Sequence, residues 1–146
     1  DAKRLFIPDS FDFTIETVGP FTNMSIVYKA IQVMLKKLAK FKMTMETEQG
    51  FIEKTSSTIE NGFDITIPNE GYTLGKVIEF VLYHLHYGKA ITYCGFIKPH
   101  PHIDIGKMRL GFKENIDKAS VISYLSSATD EAIKLYEKLA VVFGEK

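Results

Sequence analysis

The sequence predicts an α+β fold: a small, mostly antiparallel sheet covered on one face by two or three helices, with an additional strand and helix in front. Two patterns predict it. Short segments alternate apolar and polar residues, which is typical of strands buried on one side. Longer segments repeat apolar residues every three or four positions, which is typical of amphipathic helices. With 146 residues, 45% of them hydrophobic, the chain has the size of one globular domain.

The front of the chain predicts one strand and one helix. Residues 11–18 alternate phenylalanine or isoleucine with polar side chains, and a glycine–proline pair follows. Thr22 or Asn23 is the expected N-cap of a helix over residues 24–40. The apolar stripe of this helix consists of Val27, Ala30, Ile31, Met34 and Leu38.

Four lysines lie off this stripe and gather toward the predicted C-terminal end of the helix: Lys29, Lys36, Lys37 and Lys40. The helix dipole favours cations at that end, so the main interpretation is a solvated helix terminus. A phosphate-binding patch is the alternative. Residues 42–60 are polar and poorly periodic, which fits either a short hairpin turning near Gln49-Gly50 or a linker.

The middle of the chain predicts a strand at 63–67, ended by Pro68, and a helix at 74–87. Thr73 is the expected N-cap of this helix, and Gly88 is its expected stop. Its apolar face, which must be buried against something, consists of Leu74, Val77, Ile78, Val81, Leu82 and Leu85.

Two further strands and a long helix complete the prediction. The strands cover residues 91–97 and 103–112, and a stiff Pro-His-Pro turn separates them. Asn115 is the expected cap of the last helix, with Asp117 in its first turn. A helix of roughly 28 residues is about 42 Å long, so we expect it to pack lengthwise against another helix. Its stripe consists of Val121, Tyr124, Leu125, Ala128, Ala132, Leu135, Tyr136, Leu139 and Val142.

Candidate chemistry centres on four histidines and the single cysteine, which lie between positions 84 and 102. His100 and His102 share a turn but need a third ligand such as Cys94, and paired cysteines of the zinc-finger type are absent. A cysteine inside a strand is typical of a small buried hydrophobe. The sequence therefore predicts no metal, no cofactor and no catalytic residue. It predicts a protein that acts by presenting a binding surface.

One stretch resembles a known family. The elements that carry the resemblance are Glu70, Thr73-Leu74-Gly75, Gly95-Phe96, Pro99-His100-Pro101 and Arg109. In this order they resemble the signature of the small dimerisation subunits of multisubunit RNA polymerases, namely the eleventh subunit of RNA polymerase II and the archaeal L subunit, kin to the N-terminal domain of the bacterial alpha subunit. Where the family has Asp-His before Thr-Leu-Gly, this chain has Gly71-Tyr72.

The front of the chain resembles the end of the partner subunit, the third subunit of RNA polymerase II or the archaeal D subunit. The resemblance thus implies three parts: the end of a third-subunit-like part at 1–41, a linker or hairpin at 42–60, and an eleventh-subunit-like dimerisation domain at 61–146. Such a fusion is expected mainly in large cytoplasmic DNA viruses. The chain would then be the C-terminal fragment of a longer protein.

The resemblance implies a non-catalytic subunit on which the large catalytic subunits assemble for DNA-templated transcription. Its implied partners are the missing third-subunit-like half, the large subunits and the small assembly subunits. The isolated fragment is expected to self-associate. The implied assembly residues are Val27, Ile31, Met34, Leu38, Thr73, Leu74, Gly75, Val77, Val81, Leu85, Pro99, His100, Pro101, Arg109, Leu125, Leu135 and Leu139.

The composition of the chain limits its possible partners and location. Eighteen basic residues balance eighteen acidic ones, so no overall field attracts nucleic acid or an anionic membrane. No apolar run approaches the length of a membrane span, and the single cysteine favours a reducing, intracellular compartment. That compartment would be host cytoplasm and virion for a viral protein, or the nucleus for a cellular one. The alternative function is a stand-alone α+β module that binds protein or nucleic acid.

Overall fold

The computed structural model describes residues 9–144, which form three helices and four strands. In chain order these are α1 (Asn23–Thr47), β1 (Ile52–Lys54), β2 (Gly62–Pro68), α2 (Tyr72–His86), β3 (Ile91–Ile97), β4 (Ile105–Phe112) and α3 (Lys118–Phe143). A short 3-10 turn, Gln49–Phe51, joins α1 to β1.

The strands form one antiparallel sheet in the order β1-β2-β4-β3. Met108 of β4 pairs with Ile65 of β2 and Phe96 of β3, and this row of apolar side chains is buried. The outer face of the sheet carries polar positions such as Asp64 and Arg109. The three helices cover the inner face, so the predicted α+β fold is confirmed.

The long helix α3 packs lengthwise against α1, as its length predicts. Lys42 near the end of α1 pairs with Asp130, and Glu46 accepts a hydrogen bond from Ser126. Tyr28 near the start of α1 lies beside Gly144, just after α3. The two helices are therefore antiparallel. The helix α2 lies on the other side of α3, where His86 contacts the Tyr124 ring edge to face.

The prediction of a strand at residues 11–18 is wrong. This segment has no regular secondary structure and pairs with no strand, and the Phe13 side chain is 87% exposed. A strand needs a sheet edge, and β1 lies beyond the far end of α1, a helix about 37 Å long. At the other edge of the sheet, the Phe96 N–H of β3 donates to the Glu79 carboxylate. The Lys98 N–H, just after β3, donates to the Tyr72 hydroxyl.

The helix α1 is seven residues longer at its C-terminus than the predicted helix, because Phe41 and Met45 continue its buried stripe. It occupies the first part of the 42–60 segment. The rest of that segment contains β1 and most of the turn that joins it to β2 in a hairpin, and this turn lies at residues 55–61 and not at Gln49-Gly50. Asn61 adopts a positive φ of 49° in this turn, a conformation that asparagine tolerates.

Thr22 caps α1 as predicted, since its side chain accepts from the Ser25 N–H. Two other predicted caps are wrong. Thr73 is already inside α2, whose N-cap is Gly71, so it cannot take the extended backbone that a cap requires. Asp117 caps α3 in place of Asn115, because its carboxylate accepts from Ser120 N–H at 2.9 Å.

The region around the β3–β4 hairpin matches expectation in part. Gly88 follows α2 with a φ of +78°, which confirms the predicted glycine stop. The strand β4 begins at Ile105 and not at residue 103, because the Ile103 N–H donates to the His100 carbonyl oxygen within the Pro-His-Pro turn.

Candidate interaction surface

The α1–α3 pair consists of two halves that differ in what covers them. Where the pair lies over the sheet, its apolar stripes are buried. Leu38, Phe41 and Met45 of α1 meet Val121 and Leu125 of α3 in one continuous core with the strands. We call this part the sheet-backed half: residues 34–47 of α1 and 118–132 of α3.

Beyond the sheet, the same two helices continue as a projecting pair, which we call the helical arm: residues 23–33 of α1 and 133–143 of α3. The α3 stripe runs on into the arm without a change of face, because its positions keep the helical spacing. Leu135 is 48% exposed there and Leu139 is 37% exposed, as against 0% for Leu125. The arm therefore presents apolar side chains, Leu135 and Leu139 among them, that the described chain covers only in part.

The segment in front of α1 adds to this uncovered region. Phe13 and Ile15 line an open hollow with Met24, Val27 and Phe143 at the tip of the arm. Contiguous exposed apolar surface of this kind marks an interaction site in soluble proteins. The hollow and the arm together form one candidate docking surface.

The predicted assembly residues separate into two groups in the structure. Most of the helix positions are core residues of this chain, so they are not free for a partner: Ile31, Met34, Leu38, Leu74, Gly75, Val81 and Leu125. Val77 and Leu85 pack against the edge of the core, and Val27 is half-buried at the arm. Leu135 and Leu139 are exposed on the arm. An assembly role for any of them stays a prediction.

Four exposed aromatic rings on the outer face of α2 were not predicted as a site. Phe80 stacks on His84, and Tyr83 stacks on Tyr87 with ring centroids 4.2 Å apart. Their spacing of i, i+3, i+4 and i+7 is visible in the sequence. It was overlooked because the more apolar face of the same helix satisfied the expectation of a core stripe. Aromatic side chains are enriched at protein interfaces.

The Thr-Leu-Gly motif has a packing explanation. A methyl group on Gly75 would come within 2.3 Å of the Phe96 ring, and one on Gly106 within 2.5 Å of it. The ring thus lies between a helix and a strand that both need glycine at this point. Tyr72 contacts the same ring edge to face at 5.7 Å. These motif residues therefore fix α2 on the sheet.

The two charged motif residues form ion pairs. Glu70 accepts from Lys37 through both oxygens, at 2.9 and 2.7 Å, which ties α1 to the start of α2. Arg109 donates to both oxygens of Asp64 across β4 and β2. The Arg109 guanidinium lowers the pKa of Asp64, and a hydrogen bond from Thr55 acts in the same direction. Both pairs hold elements of this chain together.

The Pro-His-Pro turn lies exposed at the end of the β3–β4 hairpin. His100 accepts from the His102 N–H through Nδ1, and the two rings lie 5.5 Å apart. Lys98 pairs with Asp104 across the base of the turn. Thr73 is exposed at the start of α2. The turn is therefore a stiff surface feature, and Asp104 at its base lines an open hollow together with Ala30 and Val33 of the arm.

The candidate reactive groups are placed as structural side chains. Burial raises the pKa of Cys94 to about 12, so the thiol stays protonated and is a poor nucleophile. Burial lowers the pKa of His86, whose Nε2 atom is buried without a hydrogen-bond partner against Tyr124. Within residues 9–144, no three His, Cys, Asp or Glu side chains come together as a metal site.

None of the helices between residues 9 and 144 is long and apolar enough to cross a bilayer. No protein-family model matches the chain. The chain is similar to a protein of Acanthamoeba polyphaga mimivirus named "Putative DNA directed RNA polymerase subunit", with 27% identity over 143 residues. The match covers 95% of this chain and 37% of that protein, so the chain spans little more than a third of its relative.

The name of this relative agrees with the polymerase part of the sequence prediction. The fused third- and eleventh-type assignment remains a prediction, as does the dimerisation role.

Proposed function

We propose that this chain is part of a non-catalytic assembly subunit of a viral DNA-directed RNA polymerase. The observation that carries the proposal is the helical arm, on which Leu135 and Leu139 continue a core stripe into open space. Such a surface is what a permanently assembled subunit offers to its neighbour. The polymerase context is supported by the similarity to the mimivirus protein.

The proposed occupant of the arm is a third-subunit-like half that supplies a strand and a helix. The segment at residues 11–18 supports this choice, because it has the alternation of a strand but no edge to join within reach. A partner that offers both a sheet edge and an apolar helix face would cover Phe13 and Leu139 in the same step. Phe13 lines the hollow at the tip of the arm, and Leu139 lies about one helical turn before Phe143, which lines the same hollow.

The energetics of this pairing are favourable. Burying an apolar face of about 1,000 Å² contributes on the order of 25 kcal/mol before the costs of association and ordering. A surplus of even half that amount corresponds to a complex that does not dissociate at cellular concentrations. The arm is therefore suited to a permanent partner and not to transient encounters.

The outer face of the sheet is the proposed seat for the large catalytic subunits. It exposes Tyr93, Ile97, Ile105 and Lys107 on a surface that the three helices leave free. Nucleotidyl transfer would take place in those large subunits. This chain would position the large subunits.

Affinity capture of the full-length natural protein from its source cells tests the proposal. The tagged protein is expected to bring down the two largest polymerase subunits in near-stoichiometric amounts, identified by mass spectrometry. The double variant Leu135→Glu, Leu139→Glu is expected to lose them, because two carboxylates cannot be buried in an apolar interface without a large desolvation cost. Lys138→Glu, an exposed change on the same helix, serves as the control.

Capture of the natural protein without any polymerase subunit would overturn the proposal. Retention of the large subunits by the double glutamate variant would also contradict the part assigned to the arm. A salt-sensitive affinity for RNA or DNA in place of subunit capture would favour the alternative of a nucleic-acid-binding module.

A further inference from the structure

The outward face of α1 carries a second unusual surface, opposite its buried stripe. At 100° per residue, five exposed side chains fall on one line about 21 Å long. We call this line the lysine stripe, and it consists of Lys29, Val33, Lys36, Lys40 and Met43. Three of its members are cationic, and Val33 and Met43 are 52% and 66% exposed.

The helix dipole does not explain these lysines. The sequence placed Lys36 and Lys40 in the last turn of a helix ending near residue 40, where the negative end of the dipole would favour them. The structure extends α1 to Thr47, and its last turn contains no basic residue. The dipole effect falls off within one turn, so Lys36 and Lys40 gain little from it.

Ion pairing does not explain them either. Neighbouring lysines off the stripe are engaged, since Lys37 pairs with Glu70 and Lys42 pairs with Asp130. Lys29 lies over the Phe21 ring at 3.5 Å. Within residues 9–144, Lys36 and Lys40 have no carboxylate within salt-bridge distance.

The lysine stripe therefore holds like charges close together, which is electrostatically unfavourable. Lys36 and Lys40 are four residues apart on one helix face, and like charges at this spacing repel each other. The chain is neutral overall, so this local excess of positive charge is balanced elsewhere on the molecule. A local conflict of this kind is expected where a surface is kept for binding.

We propose that the lysine stripe is a docking face for an acidic amphipathic protein segment, with carboxylates opposite Lys36 and Lys40 and apolar side chains against Val33 and Met43. Charge complementarity requires an anionic partner. The apolar members decide between a protein and a nucleic acid. Phosphate backbone gains nothing from contact with an exposed valine or methionine, whereas a protein helix or strand with apolar side chains does.

The proposal goes beyond the assembly role, because the lysine stripe lies on the opposite face of α1 from the buried core stripe.

The test uses the chain with all its residues and two synthetic helical peptides about 20 residues long. One peptide places glutamate and leucine on a single face, and the other replaces each glutamate by glutamine. Fluorescence anisotropy then measures both affinities in low and in moderate salt.

The acidic peptide is expected to bind about tenfold more tightly than the glutamine peptide, an advantage that two ion pairs can supply at low salt. The variant Lys36→Glu, Lys40→Glu should remove that advantage, and Val33→Ser, Met43→Ser should weaken both peptides. Lys118→Glu, Lys138→Glu changes the net charge equally at exposed positions on α3 and should retain it.

Two results would overturn the proposal. One is equal affinity of the wild-type chain for both peptides. The other is tighter binding of a single-stranded RNA or duplex DNA oligonucleotide that the Lys36→Glu, Lys40→Glu variant abolishes, which would assign the stripe to nucleic acid. Neither result bears on capture of the polymerase subunits, so this test and that of the assembly role can fail independently.

Discussion

The sheet-backed half and the helical arm are made of the same two helices, with the same stripe spacing and similar leucine and alanine content. Leu125 is fully buried in the first, and Leu139 is 37% exposed in the second, on the same face of α3 four turns along. The difference between them is the sheet, which lies under one half and not the other. A helical stripe thus specifies which side of a helix is apolar, and its surroundings decide whether that side is core or interface.

Replacing Leu125 by Ala tests this comparison with the largest expected effect. We expect the free energy of unfolding to fall by about 3 kcal/mol, because a fully buried leucine leaves a cavity in a packed core. Leu139→Ala is the matched change in the arm, and it should cost less than about 1 kcal/mol. Urea unfolding at low protein concentration measures both, and similar losses would show that the two halves do not differ.

The Phe96 contact in the sheet-backed region gives the next largest effect. Gly75→Ala is expected to lower the free energy of unfolding by about 1–2 kcal/mol, because the added methyl group must displace the Phe96 ring. Alanine has a higher helix propensity than glycine, so a net loss of stability would show that the clash with the Phe96 ring outweighs this gain. Gly19→Ala, where nothing lies within 4 Å, should leave stability unchanged in the same thermal or urea measurement.

Acid sensitivity is expected to depend partly on Asp64. Because Arg109 lowers the pKa of Asp64 in the folded chain, its contribution to stability is present above its ordinary pKa of 3.8 and is lost as the pH falls below that value. Asp64→Asn should therefore lose less stability than the wild type between about pH 5 and the acid limit of folding. Asp12→Asn, at an exposed position outside the sheet, is the matched control.

The smallest change in stability is expected from the arm. Leu135→Glu, Leu139→Glu should lower the free energy of unfolding by no more than about 1 kcal/mol, since more than a third of each side chain is already exposed. The same variant, whose loss of stability should not exceed that of Leu139→Ala by much, should abolish the self-association that we expect of the isolated chain, measured by light scattering across a concentration series. A wild-type chain that stays monomeric at high concentration would remove the reason for treating the arm as an interface.

Much of the fold could be predicted from local pattern. The alternation in FDITI located β2, and the residues around Met108 and Leu110 located β4 on its buried side. The predictions failed where the structure of a segment depends on the element that packs against it. Residues 11–18 alternate as well as β2 does, but they have no neighbouring strand to pair with. The end of α1 was misplaced because the burial of Phe41 and Met45 depends on β1 and β2.

The candidate surface was predictable only in part. Its apolar residues stand in the sequence, yet nothing local distinguishes Leu125 from Leu139. The sequence by itself determined the two strand periods, the helical stripes and the glycines at positions 75 and 88, because backbone geometry and steric contact act over a few residues. Only the tertiary structure decided which stretches of stripe are covered, because coverage depends on elements that the chain brings across from far away.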